Sequence, residues 1–447
     1  MFNHKTIKFS YSKKFSILTT TLVLFLFLIL TVAKFSNADQ VYAQSTDDLL
    51  TLIADDLEAE DWLGINIATE GKMVAIGARY GDGVSENSGV VYIFEKTRHG
   101  WIQTGKLMAN DGEPNDNFGE AIAINGNTIV IGSRLNNENG VDSGGVYVFE
   151  KTGRGRQASW EQVAKLVGDD TESGDHFGVA IDIEEDTIIA GAPLHDGRAF
   201  EAGAIYVFRL VDTNTHNWQQ VSKIIPDSVG YLDKFGRKLS IDGTTLVVTA
   251  YRDDDLGSNS GAVYIFEQDA NDNESWNAIT KLTASDGEAD DSFGISVDLD
   301  RTTLVVGARY ADSDIVDTGA AYVYRQTSTT SWEEVAKLVA PEPASNASFG
   351  WDTAVYGNHI LVGAPDHPNA DFTKTGAVYL YHRDEGGADK WGLVNTFTSP
   401  NPGYWDGFGF EVEIGQYNAL IGSLKDDDIA TDAGMAYLYP LDHSGSR

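Results

Sequence analysis

The feature that most constrains this chain is a landmark set repeated seven times in one phase. Phe-Gly pairs stand at Phe118-Gly119, Phe177-Gly178, Phe235-Gly236, Phe293-Gly294, Phe349-Gly350 and Phe408-Gly409, and Leu63-Gly64 holds the same phase ahead of them. Fourteen residues after each Phe or Leu comes Gly77, Gly132, Gly191, Thr249, Gly307, Gly363 or Gly422, and that interval never varies. Twelve residues further, thirteen in the sixth copy, lies Gly89, Gly144, Gly203, Gly261, Gly319, Gly376 or Gly434. Three beyond each is a tyrosine, from Tyr92 to Tyr437. Trp101, Trp160, Trp218, Trp276, Trp332 and Trp391 each precede the next Phe by 17 residues, and a Lys-Leu or Lys-Ile pair follows the tryptophan in five copies. A long chain ordinarily implies several domains, but a repeat array closes that length into one unit.

Each unit holds four short β-compatible runs separated by turn formers. In the third copy they are Trp160 to Val167, which precedes the Phe-Gly, then Phe177 to Ile183, Thr187 to Ala192 and Gly203 to Arg209. Runs such as Thr245 to Ala250 and Gly261 to Phe266 are apolar at nearly every position, which suits strands covered on both faces. Four-stranded units of this length, radially repeated so that neighbours cover one another, specify an all-β, seven-bladed propeller of antiparallel blades. The last copy ends at Tyr439 with eight residues left, too few for its own Trp-bearing strand. Thr51 to Ala54 sits at the offset from Leu63 that Lys106 to Ala109 holds from Phe118. The segment from Thr46 to Ala54 is therefore expected to supply the missing outer strand and close the ring.

Residues 1–43 read as an export signal or N-terminal membrane anchor, and residues 44–447 as the propeller. Lys5, Lys8, Lys13 and Lys14 precede an uncharged apolar stretch from Phe15 to Ala33. Val41-Tyr42-Ala43 offers small residues where a signal peptidase inspects the chain, with Ser36-Asn37-Ala38 as a second cleavage signal. A stretch of 19 uncharged, mostly apolar residues can also just span a bilayer, so retention is the alternative. Either way the rest of the chain is expected to be secreted or displayed at the cell surface, touching the membrane only through an uncleaved N-terminal segment. Cysteine is absent, which excludes disulfides, thiol chemistry and Cys-ligated metals. Without residues 1–43 the chain carries 27 basic and 66 acidic groups, a net charge near −39. That charge excludes nucleic acid as a partner and leaves cations, extracellular glycans and proteins, basic ones in particular.

Phe-Gly, then Gly-Ala-Pro in Gly191-Ala192-Pro193 and Gly363-Ala364-Pro365, then a Gly-Ala-x-Tyr strand, resembles the FG-GAP repeats of the integrin α-subunit propeller and of exported bacterial and archaeal proteins. The likeness spans residues 46–440. It implies a propeller that serves adhesion or ligand binding, with calcium held between the first and second strands of a repeat by an Asp-x-Asp-x-Asp-Gly loop. This chain departs there: the equivalent segments are tight turns such as Asn125-Gly126-Asn127, Asp242-Gly243 and Gly357-Asn358, and only Asp298-Leu299-Asp300 keeps part of the pattern. Two carboxylates on a short turn fall short of the six to eight oxygens calcium takes. No cofactor is expected with certainty, and calcium only as a possibility elsewhere on the chain.

In an up-and-down blade the loops before Phe-Gly and those between the two glycine landmarks emerge on one face. These 127 residues hold 38 acids and only eight Lys or Arg. Such a face either binds cations or basic partners, or keeps an exported protein soluble. Asp recurs two before the Phe or Leu (Asp61, Asp116, Asp175, Asp233, Asp291, Asp406) and five after the first glycine landmark (Asp82, Asp196, Asp254, Asp312, Asp427). Recurrence in nearly every copy points to turn-making, in which a carboxylate accepts backbone N–H groups. Asp253-Asp254-Asp255, Asp312 with Asp314, and Asp426-Asp427-Asp428 are denser than a turn requires and are the candidate cation sites. The phased Trp and Tyr read as packing between blades. Trp351, Tyr404 and Trp405 are out of phase, and Tyr404 and Trp405, in an acidic-face loop of the seventh copy, are the candidate ligand contacts. The nine His are scattered and suggest no triad. The expected function is a non-catalytic binding or adhesion module, the alternative being a propeller hydrolase or lyase acting on extracellular glycans.

Overall fold

The computed structural model describes residues 49–153, 158–313, 315–369 and 374–441. Two compact units divide the chain, 1–41 and 42–447, and all described residues belong to the second. Residues 1–43, read above as an export signal or anchor, and Asp314 lie outside the described residues.

A short strand, β1 (Leu50–Leu52), opens the described chain. The first blade is β2 (Leu63–Glu70), β3 (Met73–Ala78), β4 (Val90–Thr97) and β5 (Gly100–Leu107). The second is β6 (Phe118–Asn125), β7 (Thr128–Ser133), β8 (Gly145–Thr152) and β9 (Ser159–Leu166). The third is β10 (Ala180–Glu184), β11 (Thr187–Ala192), β12 (Ala204–Asp212) and β13 (Asn217–Ile224). The fourth is β14 (Leu239–Asp242), β15 (Thr245–Ala250), β16 (Ala262–Asp269) and β17 (Asp272–Leu282). The fifth is β18 (Phe293–Asp300), β19 (Thr303–Ala308), β20 (Ala320–Ser328) and β21 (Ser331–Leu338). The sixth is β22 (Thr353–Tyr356), β23 (His359–Ala364), β24 (Ala377–Arg383) and β25 (Trp391–Phe397). The seventh is β26 (Phe408–Ile414), β27 (Asn418–Ser423), β28 (Met435–Pro440) and, antiparallel to β28, the N-terminal β1. The fold is the expected all-β propeller of seven four-stranded antiparallel blades, closed by an N-terminal strand.

The sequence reading is corrected in one respect. It grouped the Trp160 strand with the Phe-Gly that follows it, but β9 pairs with β8 and completes the blade before. Phe177 begins the third blade, whose own fourth strand is β13. Repeat and blade are therefore offset by one strand, because a Trp-bearing run pairs most readily with the strand that has just preceded it in a hairpin. Ring closure obeys the same rule: β1 is the outer strand of the first repeat, given to the seventh blade.

Phasing follows from how blades meet. Val91, Ile93 and Leu107 of the first blade bury against Phe118, Ile129, Ile131, Tyr147 and Phe149 of the second in one apolar cluster. The third blade repeats this arrangement, Phe177, Tyr206 and Phe208 packing on Val146 and Val148. The Phe and Tyr rings meet edge to face, at 5.5 Å for Phe118 and Tyr147 and 5.4 Å for Phe177 and Tyr206. Gly144 has φ +91° and forms a bridge to Phe177, so a Cβ there would fall on the Phe177 backbone. Invariant spacing is thus the sequence trace of a backbone-to-backbone contact between blades.

Candidate functional site: the loop face and the central channel

The loops before each β2-type strand and those between the glycine landmarks share one end of the propeller, stitched by bonds such as Phe118 N to Ser88 O (3.0 Å) and Phe177 N to Ser143 O (2.9 Å). We call this end the top. The phased aspartates make its turns. Asp61, Asp116, Asp175, Asp233, Asp291 and Asp406 each accept the N–H of the residue three before, at 2.8, 3.0, 2.9, 2.6, 2.8 and 2.5 Å. Burial pushes the carboxyls of Asp233, Asp291 and Asp406 up to about 6 against these bonds. Asp82, Asp196, Asp254, Asp312 and Asp427 each accept the N–H five residues on, at 2.6 to 2.8 Å.

The dense aspartate groups are engaged in the same framework. Asp253 is buried, 2.7 Å from Lys281 and 3.2 Å from the Tyr264 hydroxyl, and Asp255 pairs with Lys281 at 2.5 Å. Asp426 accepts the Tyr437 hydroxyl at 2.7 Å, and Asp428 accepts Asn401 Nδ2 at 2.9 Å. Among the described residues no three acidic or imidazole side chains are arranged to hold a metal ion. The phased lysines, whose role the spacing alone left open, have a shared one. Lys106, Lys165, Lys223 and Lys337 lie 5.1 to 5.5 Å from the ring centres of Tyr92, Tyr147, Tyr206 and Tyr322. They reach Asp56, Asp111, Asp170 and Asp286 at 2.6 to 2.7 Å.

Tyr404 and Trp405 are exposed at 70% and 49%, their rings 5.8 Å apart, and Lys374 lies 5.4 Å from the Trp405 ring. A second exposed top pair, Phe200 and Tyr231 (5.9 Å), escaped the sequence reading. Exposed apolar residues also occupy the loop tips of five further blades: Val84, Val141, Leu256, Ile315 with Val316, and Ile429.

The innermost strands line a central cavity of about 460 Å³. Their facing edges carry no backbone ladder between blades, so side chains substitute. At two seams the residue three after the Phe or Leu accepts the next blade's N–H four after its own landmark: Asn66 from Ile122 (2.8 Å) and Asp352 from Val412 (2.8 Å). Two residues deeper, Asp182 accepts from Ile241 (2.9 Å), Ser240 from Leu299 (3.3 Å) and Asp298 from Val355 (2.7 Å). At the bottom Glu70, Asp242 and Asp300 accept from Gly126, Arg301 and Gly357 at 2.5 to 2.7 Å. Most channel carboxylates are therefore explained as stitches between blades. The partial calcium pattern Asp298-Leu299-Asp300 belongs to this set.

The seam between the seventh and first blades has carboxylates at both positions but neither stitch. Glu411 accepts the Asn66 side chain (2.6 Å) and faces Lys238 at 3.3 Å, while Lys238 is 3.5 Å from Asp352. Glu413 holds the position of Asp182, Ser240 and Asp298 and its backbone pairs with Leu420, but its side chain makes no hydrogen bond to any described residue. Burial, then neighbouring carboxylates, pushes Glu413 well above its usual range, and burial with Asp352 beside it pushes Glu411 up to about 8. Burial likewise moves Asp182 up to about 7 and Asp298 up to about 6. For Lys238 burial opposes the charge, yet Asp352 and Glu411 outweigh it and the ammonium is held above its ordinary range.

Above these carboxylates the channel lining turns basic and aromatic, with Arg79, Arg134, Arg237 and Arg309 beside Tyr251, Trp351 and Phe410. Glu120 holds Arg79 at 2.9 Å and Arg134 at 3.6 Å. The Arg309 guanidinium lies 4.4 Å from the Tyr310 ring centre and 4.6 Å from that of Trp351, which in turn packs on Phe410 at 5.0 Å. Arg79, Arg134 and Arg309 all stand two residues after a glycine landmark. Aligning the copies on that glycine and reading the next residues would have revealed them among the few Lys and Arg of those loops.

A family model described as FG-GAP repeat matches residues 48–94, 101–149, 160–208, 218–266, 276–324 and 332–381, most of the chain. The chain belongs to the FG-GAP repeat family. Each match begins around the outer strand of one blade and continues through three strands of the next, so the FG-GAP unit carries the same one-strand offset as the sequence repeat. A search of curated proteins returns no match. An FG-GAP propeller is consistent with a binding or adhesion role.

Proposed function

We propose that this FG-GAP propeller is exported and acts outside the cytoplasm, secreted or at the cell surface, as a binding module that engages its ligand through the top face. The observation that carries this reading is the ring of exposed apolar side chains at the top loop tips: Val84, Val141, Phe200, Leu256, Ile315 with Val316, and Ile429, joined by Tyr231, Tyr404 and Trp405. Turn-making accounts for the aspartates around them but asks for no apolar group at an exposed tip. Recurrent exposed apolar groups on one face mark an interaction surface. The acids between them favour a partner with basic or neutral complementary groups and keep like copies apart. Lys-poor loops, rigidified by their own hydrogen bonds, lose little freedom on binding.

Two experiments test this. The N-terminal sequence of the protein recovered from the native cell exterior should begin at Gln44 if the signal is removed; recovery only from the cytoplasm would sink the export reading. Arrays of extracellular proteins and glycans should yield a ligand whose binding falls at least tenfold when Phe200, Tyr231, Tyr404 and Trp405 are changed to Ser. Changing the exposed outer-strand residues Val335, Leu393 and Val394 to Ser should leave it intact. The opposite ranking would move the site to the propeller's side.

A further inference from the structure

We infer that the top mouth of the central channel is a site for a small polyhydroxylated carboxylate, a sugar acid free or at the end of a glycan chain. This goes beyond the proposal above and can fail separately from it, since it concerns the channel and not the loop tips.

The first observation is unspent cationic capacity. Glu120 neutralises one charge's worth of Arg79 and Arg134, but Arg237 and Arg309 form no ion pair with any described residue. Arg309 is held through its flat faces by Tyr310 and Trp351, and the Nε atoms of Arg79 and Arg309 are buried without a hydrogen-bond acceptor. Stacking occupies a guanidinium's faces and leaves its donors in the ring plane, the geometry that grips a carboxylate in two parallel bonds. Packed fixed in this way, the fork needs no reordering when a ligand arrives.

The second observation is the depth of the same cavity. Below the arginines it is rich in acceptors, and Glu413 alone among the channel acids named above has no hydrogen-bonded stitch to make. A ligand satisfying both levels carries an oxyanion at one end and hydroxyl donors at the other. Glu120 pairs with Arg79, and Asp352 and Glu411 beside Lys238 line the same cavity, a balance that disfavours a dianion such as phosphate and favours a single negative charge. Tyr251, Trp351 and Phe410 add apolar walls for a sugar ring. The cavity, about 460 Å³, falls in the range of small-molecule sites. The acidic top surface around the mouth repels an extended polyanion but admits one carboxylate.

The test is calorimetric titration of the purified protein with sodium glucuronate, against glucose, sodium acetate and sodium chloride at matched ionic strength. One saturable site for glucuronate is expected, at least tenfold tighter than acetate, with no saturation by glucose or chloride. Arg309→Gln and Arg237→Gln should each weaken glucuronate at least tenfold, and Glu413→Gln severalfold. Melting curves check that each variant is folded; should Arg309→Gln unfold, Arg309→Lys keeps the charge, loses the fork, and should still weaken binding. A linear tetra-uronate that binds as well as the monomer supports a chain end as the natural source, and weaker binding supports the free acid. Absent saturation, equal response to glucose, or arginine variants that bind as the parent does would overturn the site. A long polyuronate binding far more tightly than the monomer would overturn it too, since that requires a surface groove.

Discussion

The interfaces between blades and the channel they enclose are built from the same seven copies, yet they treat repetition in opposite ways. At the interfaces the copies offer nearly the same contact: Phe, or Leu63 in the first, on the preceding repeat's glycine, Tyr packed on Phe, and in five copies Lys over Tyr to a loop Asp. In the channel equivalent positions differ. Five residues after the landmark stand Ala68, Ala123, Asp182, Ser240, Asp298, Ala354 and Glu413. Packing between identical blades demands identical residues, whereas a site on the ring's axis needs different chemistry from each blade. Phase therefore marks structure here, and departure from phase marks candidates for function.

The largest expected effects break the repeated side of this comparison. Gly144→Val would drive a side chain into the Phe177 backbone at a left-handed φ and should abolish folding, seen as lost cooperative unfolding and insoluble expression. Phe177→Ala removes a ring with no solvent exposure and should cost about 3–5 kcal/mol in denaturant unfolding. Deleting residues 46–54 removes β1 and exposes the edge of β28, so melting should fall by several degrees and self-association should appear. A truncated chain that melts with the parent and stays monomeric would contradict closure by that strand.

A middle-sized effect separates channel acids from interface acids by pH. Carboxyls raised on folding, Asp182 to about 7 and Asp298 to about 6, keep their protons longer in the folded state. Their stabilising effect is complete below the unfolded value near 4 and is lost as pH rises through 6 to 7. Asp111, Asp170 and Asp286, held low against burial by Lys165, Lys223 and Lys337, lose theirs only in acid below that value. The protein should thus melt higher at pH 5 than at pH 8, and Asp182→Asn should flatten that slope. A rise in melting temperature from pH 5 to 8 would show that the channel acids are ionised without cost. Smallest should be Asp254→Ala, which loses one bond to Asn259 N, about 1 kcal/mol. Calcium, magnesium and sodium chloride at matched ionic strength then ask whether Asp253 to Asp255 answer to a specific ion.

The fold was legible because each landmark has a backbone reason, and even the missing strand could be inferred from eight residues after Tyr439. The offset between repeat and blade was not, since pairing of β9 with β8 or with the next Phe-Gly strand leaves the same spacing. Tyr404 and Trp405 were visible as departures from phase. Arg309 was not, because its meaning depends on Trp351, a residue of the next blade. Nor could spacing tell that Asp298 stitches blades together while Glu413 does not.

The most direct test of the central claim measures stability and glucuronate affinity together in two variants, Tyr147→Phe at a repeated position and Arg309→Gln at a channel position. Within the phased framework the Tyr147 hydroxyl accepts from Asn136 Nδ2 at 3.1 Å, and Lys165 lies 5.3 Å from its ring centre. Tyr147→Phe should lower the melting temperature with affinity unchanged, and Arg309→Gln should lower affinity at least tenfold with melting nearly unchanged. If both variants lose stability and affinity in step, or Arg309→Gln loses only stability, the division between repeated structure and unrepeated function is wrong.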